Sequence, residues 1–143
     1  MKPLYTAVAT ARGGREGEVV SDDGVIDLTL AYPKEVSGPD GDHSNPEQLL
    51  AAGYAACFHN ALRRVAKDRS IDIEPSELTA KVTLGMHEDA TFDLAVTLMA
   101  ALPTVDPAQG DELMAAAHQV CPFSRATRGN VEVTLELAPA PGA

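Results

Sequence analysis

Apolar and polar positions alternate loosely over 3–10, stop at Gly13-Gly14, and alternate again over 25–31, a period of two that predicts strands. The stretch 15–20 between them reads as a further strand, making three. Ser21-Asp22-Asp23-Gly24 supplies turn chemistry for a hairpin between the second and third. In the third, Val25, Asp27 and Thr29 oppose Ile26, Leu28 and Leu30, so one face is expected to be buried. The stretch 33–44, rich in Gly, Pro and Asp, is a long loop for a compact domain, which marks it as functional or mobile.

The pattern changes at Asn45. Asn45 caps a helix, and Pro46 takes the first helical position, where a missing N–H is harmless. Glu47 puts a carboxylate in the first turn, where the helix dipole favours it, and Gln48 stands in the place of a capping-box partner. From 49 to 58 every residue is apolar or glycine. A helix apolar all round is expected to be buried all round. Arg63, Arg64, Lys67 and Arg69 return its far end to water.

Two further strands follow over 78–87 and 91–102, joined by a short turn at Glu88-Asp89-Ala90. Val82, Leu84 and Met86 share a face of one; Phe92, Leu94, Val96, Leu98 and Ala100 share a face of the other. Pro107 opens a second helix, with Leu113, Met114, Ala117 and Val120 at helical spacing. Cys121-Pro122 ends it, 123–129 reads as a short helical turn or loop, and 130–137 alternates as a last strand. The tail from Ala138 to Ala143 is expected to be irregular. The order βββ-α-ββ-α-β, with strands in antiparallel pairs and segregated helices, predicts one α+β domain over 1–143 with a central buried helix.

A length of 143 residues suffices for a real core, and with no tryptophan it must be built mainly from Val, Leu, Ile and Ala. A formal net charge of -10 argues against nucleic acid and against an anionic membrane surface. No charged-then-apolar leader and no apolar run of about 18 residues is present, so a cytoplasmic protein without membrane insertion is expected. In a reducing compartment, Cys57 and Cys121 are not expected to be a permanent staple.

Those two thiols carry the candidate chemistry. Burial in an apolar helix raises a thiol's pKa, so Cys57 stays inert unless a cation reaches it. Arginine suits this best because it stays charged and its fork matches a carboxylate. Arg15, after two glycines that can aim it inward, is the leading candidate; Arg12 and Arg128 are rivals. Glu47 lies ten residues before Cys57, about 15 Å along a helix axis, so the two cannot meet directly within one straight helix. Another element, or a second copy of the chain, must bridge them. Cys121, at a helix end before a proline, can approach Cys57 after oxidation, since a sulfenic acid condenses with a nearby thiol to a disulfide. Two inert buried thiols would account for the same count. His43, His59, His87 and His118 share no metal-like spacing, and no glycine-rich phosphate loop precedes a helix, so no metal or cofactor is expected.

The stretch Asn-Pro-Glu-Gln-Leu-Leu-Ala-Ala-Gly-Tyr-Ala-Ala-Cys-Phe over 45–58 and Val-Cys-Pro-Phe-Ser-Arg-Ala-Thr-Arg-Gly-Asn over 120–130 resemble the organic hydroperoxide resistance (Ohr) branch of the OsmC/Ohr family. Gly13-Gly14-Arg15 matches its early arginine. The resemblance implies an OsmC/Ohr-like fold and an intertwined homodimer with sites at the subunit interface. It implies that Cys57 attacks the peroxide, Cys121 resolves, and Arg15 and Glu47 activate and orient Cys57. It implies reduction of organic hydroperoxides, fatty-acid hydroperoxides included, with recharging by a dihydrolipoyl group such as dihydrolipoamide or a lipoylated protein. Phe123 stands where the family commonly has tyrosine, Arg125 where asparagine is common, and Leu50 where phenylalanine is common. The competing expectations are a small-ligand or lipid-binding protein without turnover and a redox sensor without catalytic cycling.

Overall fold

The computed structural model describes residues 1–139, so the tail expected to be irregular lies outside the described residues from position 140 onward. Its elements confirm an α+β chain, which divides into two compact units, Met1–Leu49 and Leu50–Ala143. In the first unit, strands β1 (Ala9–Arg12), β2 (Glu18–Ser21) and β3 (Asp27–Thr29) form an antiparallel sheet in that order. The β2–β3 hairpin turns as expected: Ser21 N–H donates to the Ile26 carbonyl at 2.8 Å, and Gly24 adopts a positive φ of 71°.

Two expectations for this sheet change. The first strand occupies Ala9–Arg12 rather than 3–10, because the register pairs Ala9 with Ser21 and Arg12 with Glu18. Leu4 and Tyr5 are left 91% and 83% exposed. The second strand does not begin at 15. Gly13 and Gly14 take φ of 76° and 59°, which a side chain resists, and the chain enters a 3-10 turn over Gly14–Glu16 before β2. The loop 33–44 contains another 3-10 turn, Lys34–Val36, and ends with Ser44 bridged in parallel to Leu30.

Helix α1 (Pro46–Asp68) starts where its cap chemistry predicts. Asn45 Oδ1 accepts the Gln48 N–H at 2.8 Å, leaving one fewer unpaired donor in the first turn. Gln48 does not close a capping box; its Oε1 accepts from Ser44 Oγ at 2.9 Å, which fixes the entering chain instead.

The second unit holds the core. Strands β4 (Glu77–Met86), β5 (Phe92–Ala101) and β6 (Glu132–Leu137) form a sheet with β5 in the middle. β4 and β5 are antiparallel, but β6 runs parallel to β5, contrary to the expected antiparallel pairing. Helices α2 (Pro107–Val120) and α3 (Pro122–Thr127) lie between β5 and β6 in the chain and make the crossover that a parallel pair requires. Asp106 caps α2 by accepting the Gln109 N–H at 3.0 Å. Val96, Leu98 and Ala100 on β5 pack with Tyr54, Phe58 and Leu62 of α1 and with Leu113, Met114 and Ala117 of α2. α1 is buried along the stripe Tyr54, Phe58, Ala61, Leu62 and Ala66, while Ala52 and Ala56 remain exposed. Burial on every side is therefore not reached within one chain. The apolar face of the β4–β5 hairpin also runs on past the core, leaving Met86 68% and Phe92 62% exposed. Among the described residues no helix is long and apolar enough to cross a membrane.

Leu98, wholly buried and flanked by Ala80 on β4 and Leu135 on β6, tests this core. Leu98→Ala is expected to lower the unfolding free energy in urea by about 2–5 kcal/mol. A loss below about 1 kcal/mol would place the centre of the core elsewhere.

Candidate active site

The four candidate residues fall in two pairs, Arg15 with Glu47 and Cys57 with Cys121. The first pair is in the unit 1–49. Arg15 leaves the 3-10 turn after the two positive-φ glycines and forks onto Glu47 in the first turn of α1. Nη1 donates to Oε2 at 2.8 Å and Nη2 to Oε1 at 2.6 Å, a bidentate pair. The side chains are 34% and 15% exposed, so the pair is partly shielded from water. The hydrogen bond from Arg15 holds the Glu47 carboxyl below its ordinary range against the opposing effect of burial, and the same contact raises the pKa of Arg15. Both groups are thus fixed in their charged forms. The start of the helix is itself anchored: Ser44, buried, donates to Gln48 and is bonded through its backbone to Thr29 and Ala31.

The second pair is in the unit 50–143. Cys57, half-buried on α1, and Cys121, buried between α2 and α3, are both free thiols with their sulfurs 3.7 Å apart, Cys121 donating to Cys57. That is a thiol–thiol contact; a disulfide closes it to about 2.05 Å. Burial pushes the Cys57 thiol up, the Phe123 backbone N–H pulls it back down, and Cys121, a second acid in contact, adds to the rise. The net shift is upward, towards the protonated thiol.

Three contacts hold the thiols in register. Pro122 disfavours helical geometry at the residue before it, so Cys121 takes φ -63° and ψ 124° and serves both as the end of α2 and as the residue before α3. Tyr54 Oη bonds the buried Ser124 hydroxyl at 2.9 Å and Thr127 Oγ1 at 3.2 Å, tying α3 to α1 one turn before Cys57. Gly53 lets α3 approach, since a Cβ there would lie 3.2 Å from the Phe123 ring. Sequence reasoning did not single out Tyr54, Ser124 or Thr127. The available signal was one buried hydroxyl in an otherwise apolar helical run, which must find a partner.

The rival arginines are engaged elsewhere. Arg12 pairs with Glu18 across β1 and β2 at 3.1 Å, and Arg128 Nη2 donates to the His118 carbonyl at 2.6 Å. The histidines are dispersed: His43 meets the Pro39 carbonyl, His59 the Ser76 hydroxyl and His87 the Asp93 carboxylate. Among the described residues no group of three His, Cys, Asp or Glu side chains is placed to hold a metal.

The lowered Glu47 pKa sets a pH dependence. The folded chain binds this proton less readily than the unfolded chain, so the ion pair stabilises the fold at neutral pH. The contribution fades as pH falls below the ordinary glutamate value of about 4.3 and through the lower folded value. Carbon NMR of the Glu47 carboxyl is expected to show a midpoint below that of exposed glutamates, moving back up in Arg15→Met. An unchanged midpoint in that variant would contradict the pairing.

Comparison with known proteins agrees with this architecture. The sequence model of the OsmC-like protein family matches residues 39–136. An organic hydroperoxide resistance protein of Xanthomonas axonopodis pv. citri is 49% identical over 138 residues, covering 96% of each chain. The crystal structure of the organic hydroperoxide resistance protein OhrB of Bacillus subtilis superposes with a TM-score of 0.87 at 47% identity, covering 95% of this chain and 100% of that one. An organic hydroperoxide resistance protein from Elizabethkingia anophelis, with thiocyanate bound, gives a TM-score of 0.89 at 48% identity, covering 96% and 99%. Two cysteines in contact, an arginine forked onto the first turn of the cysteine-bearing helix, and near-full-length similarity lead to one assignment: this chain belongs to the OsmC/Ohr family, in its organic hydroperoxide resistance branch.

Proposed function

We propose that this protein is a cysteine peroxidase that reduces organic hydroperoxides to alcohols. The observation that carries the reading is the 3.7 Å contact between the sulfurs of Cys57 and Cys121. A thiol oxidised at Cys57 then has its reaction partner already beside it, which is the requirement for converting a sulfenic acid to a disulfide without a large rearrangement.

In this mechanism the Cys57 thiolate attacks the terminal peroxide oxygen. The O–O bond breaks, the alkoxide leaves and takes up a proton as the alcohol, and Cys57 becomes a sulfenic acid. Cys121 as thiolate then attacks the Cys57 sulfur; the S–S bond forms, the S–O bond breaks, and the hydroxide leaves as water. A dithiol of the dihydrolipoyl class, free or on a lipoylated protein, restores both thiols by exchange and is itself oxidised to the cyclic disulfide. No metal or bound cofactor takes part.

Arg15 is assigned the cation that favours the Cys57 thiolate, and Glu47 the carboxylate that orients it. Burial raises the Cys57 pKa, so the first step depends on a compensating positive charge. The supporting observation is that Arg15 is held by a bidentate partner rather than free. We further assign the functional form to a homodimer. Uncovered apolar side chains occur in both units, Leu4 and Tyr5 in one and Met86 and Phe92 in the other, and a second copy is the simplest cover for them. The similarity to organic hydroperoxide resistance proteins supports an organic hydroperoxide rather than hydrogen peroxide as substrate.

Steady-state consumption of tert-butyl hydroperoxide with dihydrolipoamide as donor tests the reading. Wild type is expected to turn over, and to prefer the organic hydroperoxide to hydrogen peroxide. Cys57→Ser is expected to be inactive, and Arg15→Met to react about 100-fold more slowly, the scale on which a charge-stabilising donor acts. Undiminished turnover by Cys57→Ser, or a preference for hydrogen peroxide, overturns the assignment. A binding protein with inert thiols would consume no peroxide at all.

A further inference from the structure

Helix α2 ends with a defect created by the sequence. A helical carbonyl accepts from the N–H four residues on, and for His118 that residue is Pro122, which has none. Cys121 N–H still reaches the Ala117 carbonyl at 2.9 Å, so the ladder holds up to the cysteine and loses its next bond. The vacant acceptor is filled from outside: Arg128 Nη2 donates to the His118 carbonyl at 2.6 Å. Arg128 is also the residue that closes α3, where its own backbone N–H donates to the Ser124 carbonyl at 3.0 Å. A single residue thus completes the C-terminal ends of both helices that flank Cys121. Its positive charge lies where the α2 dipole favours a cation. Ser124, the acceptor for its backbone, is bonded to Tyr54 on α1, so the chain of contacts continues to the helix that carries Cys57.

We infer that Arg128 is a positioning residue for the resolving thiol: it clamps α2 to α3 across the Cys121–Pro122 junction and thereby sets how readily Cys121 reaches Cys57. The inference rests on the reading of Cys121 as the resolving cysteine. With the clamp in place, the 3.7 Å approach is the resting arrangement. Without it, the last turn of α2 keeps an unpaired carbonyl that only water can satisfy, and the junction is free to reorient. A departure of the order of 1 Å from an attack geometry is sufficient to slow a step of this kind strongly.

The experiment reads closure without peroxide. One equivalent per chain of 5,5′-dithiobis(2-nitrobenzoate) reacts first with Cys57, the more exposed thiol, and releases one thionitrobenzoate. Attack by Cys121 on the resulting mixed disulfide forms the Cys57–Cys121 bond and releases the second thionitrobenzoate. The ratio of the second rate to the first isolates the resolving step. In Arg128→Met this ratio is expected to fall by about tenfold or more. Arg128→Lys, which keeps a charged donor, is expected to lie between the two. Arg128 is exposed, so neither change removes core packing. A ratio in Arg128→Met within about twofold of wild type overturns the inference, and so does a wild-type protein that never releases the second equivalent. Failure of the peroxidase reading looks different: closure would still depend on Arg128, while organic hydroperoxide would go unconsumed.

Discussion

Two sulfurs at 3.7 Å, inside a packed core, are the contact around which the second unit is arranged. Each feature that brings them there has a local cause. Pro122 stops α2 and turns Cys121 out of helical geometry. Gly53 removes a side chain where Phe123 must fit. Tyr54 fastens α3 to α1 through buried hydroxyls, and a buried hydroxyl without a partner is costly enough that this bond selects one packing. The core around Leu98, Leu113 and Phe58 then makes the arrangement rigid.

Rigidity and burial also impose the main constraint on the chemistry. The surroundings that keep the two thiols together push the Cys57 pKa upward, and a protonated thiol is a poor nucleophile. The proposed peroxidase reading requires a charged group to offset that effect. In the first unit the protein has an arginine fixed by a carboxylate, with two positive-φ glycines shaping the turn that presents it and a capped helix presenting Glu47. The acidic partner serves orientation as much as charge: a bidentate pair restricts a long, flexible side chain to one direction.

Much of this was legible in the sequence where chemistry is local. Asn45 and Pro46 mark a helix start by satisfying backbone donors, and that start places Glu47. Asp23-Gly24 marks a hairpin for the same kind of reason. Tertiary choices were less legible. Residues 3–8 alternate like a strand but lie outside the ladder, whose first pair is Ala9 with Ser21; Val8 adds only a carbonyl that accepts the Asp22 N–H at 3.0 Å. β6 alternates identically whether its neighbour runs parallel or antiparallel; the two helices before it were the better guide. Arg12 and Arg128 stayed rivals to the leading candidate Arg15 as a cation for Cys57, because a guanidinium reaches in many directions. The overlooked clue was Pro122, four residues after His118, which predicts a carbonyl in need of a donor.

The central claim is that Cys57 and Cys121 act as one redox pair within a chain. The most direct measurement is a single turnover. Reduced protein is mixed with one equivalent of tert-butyl hydroperoxide in the absence of reductant, and intact mass, free thiols and peptide linkage are then determined. The account predicts the loss of two hydrogen masses, the disappearance of both thiols, and a peptide joining Cys57 to Cys121 of the same chain. Recovery of both thiols after the peroxide is added, or a disulfide joining Cys57 of one chain to Cys57 of another, would contradict it.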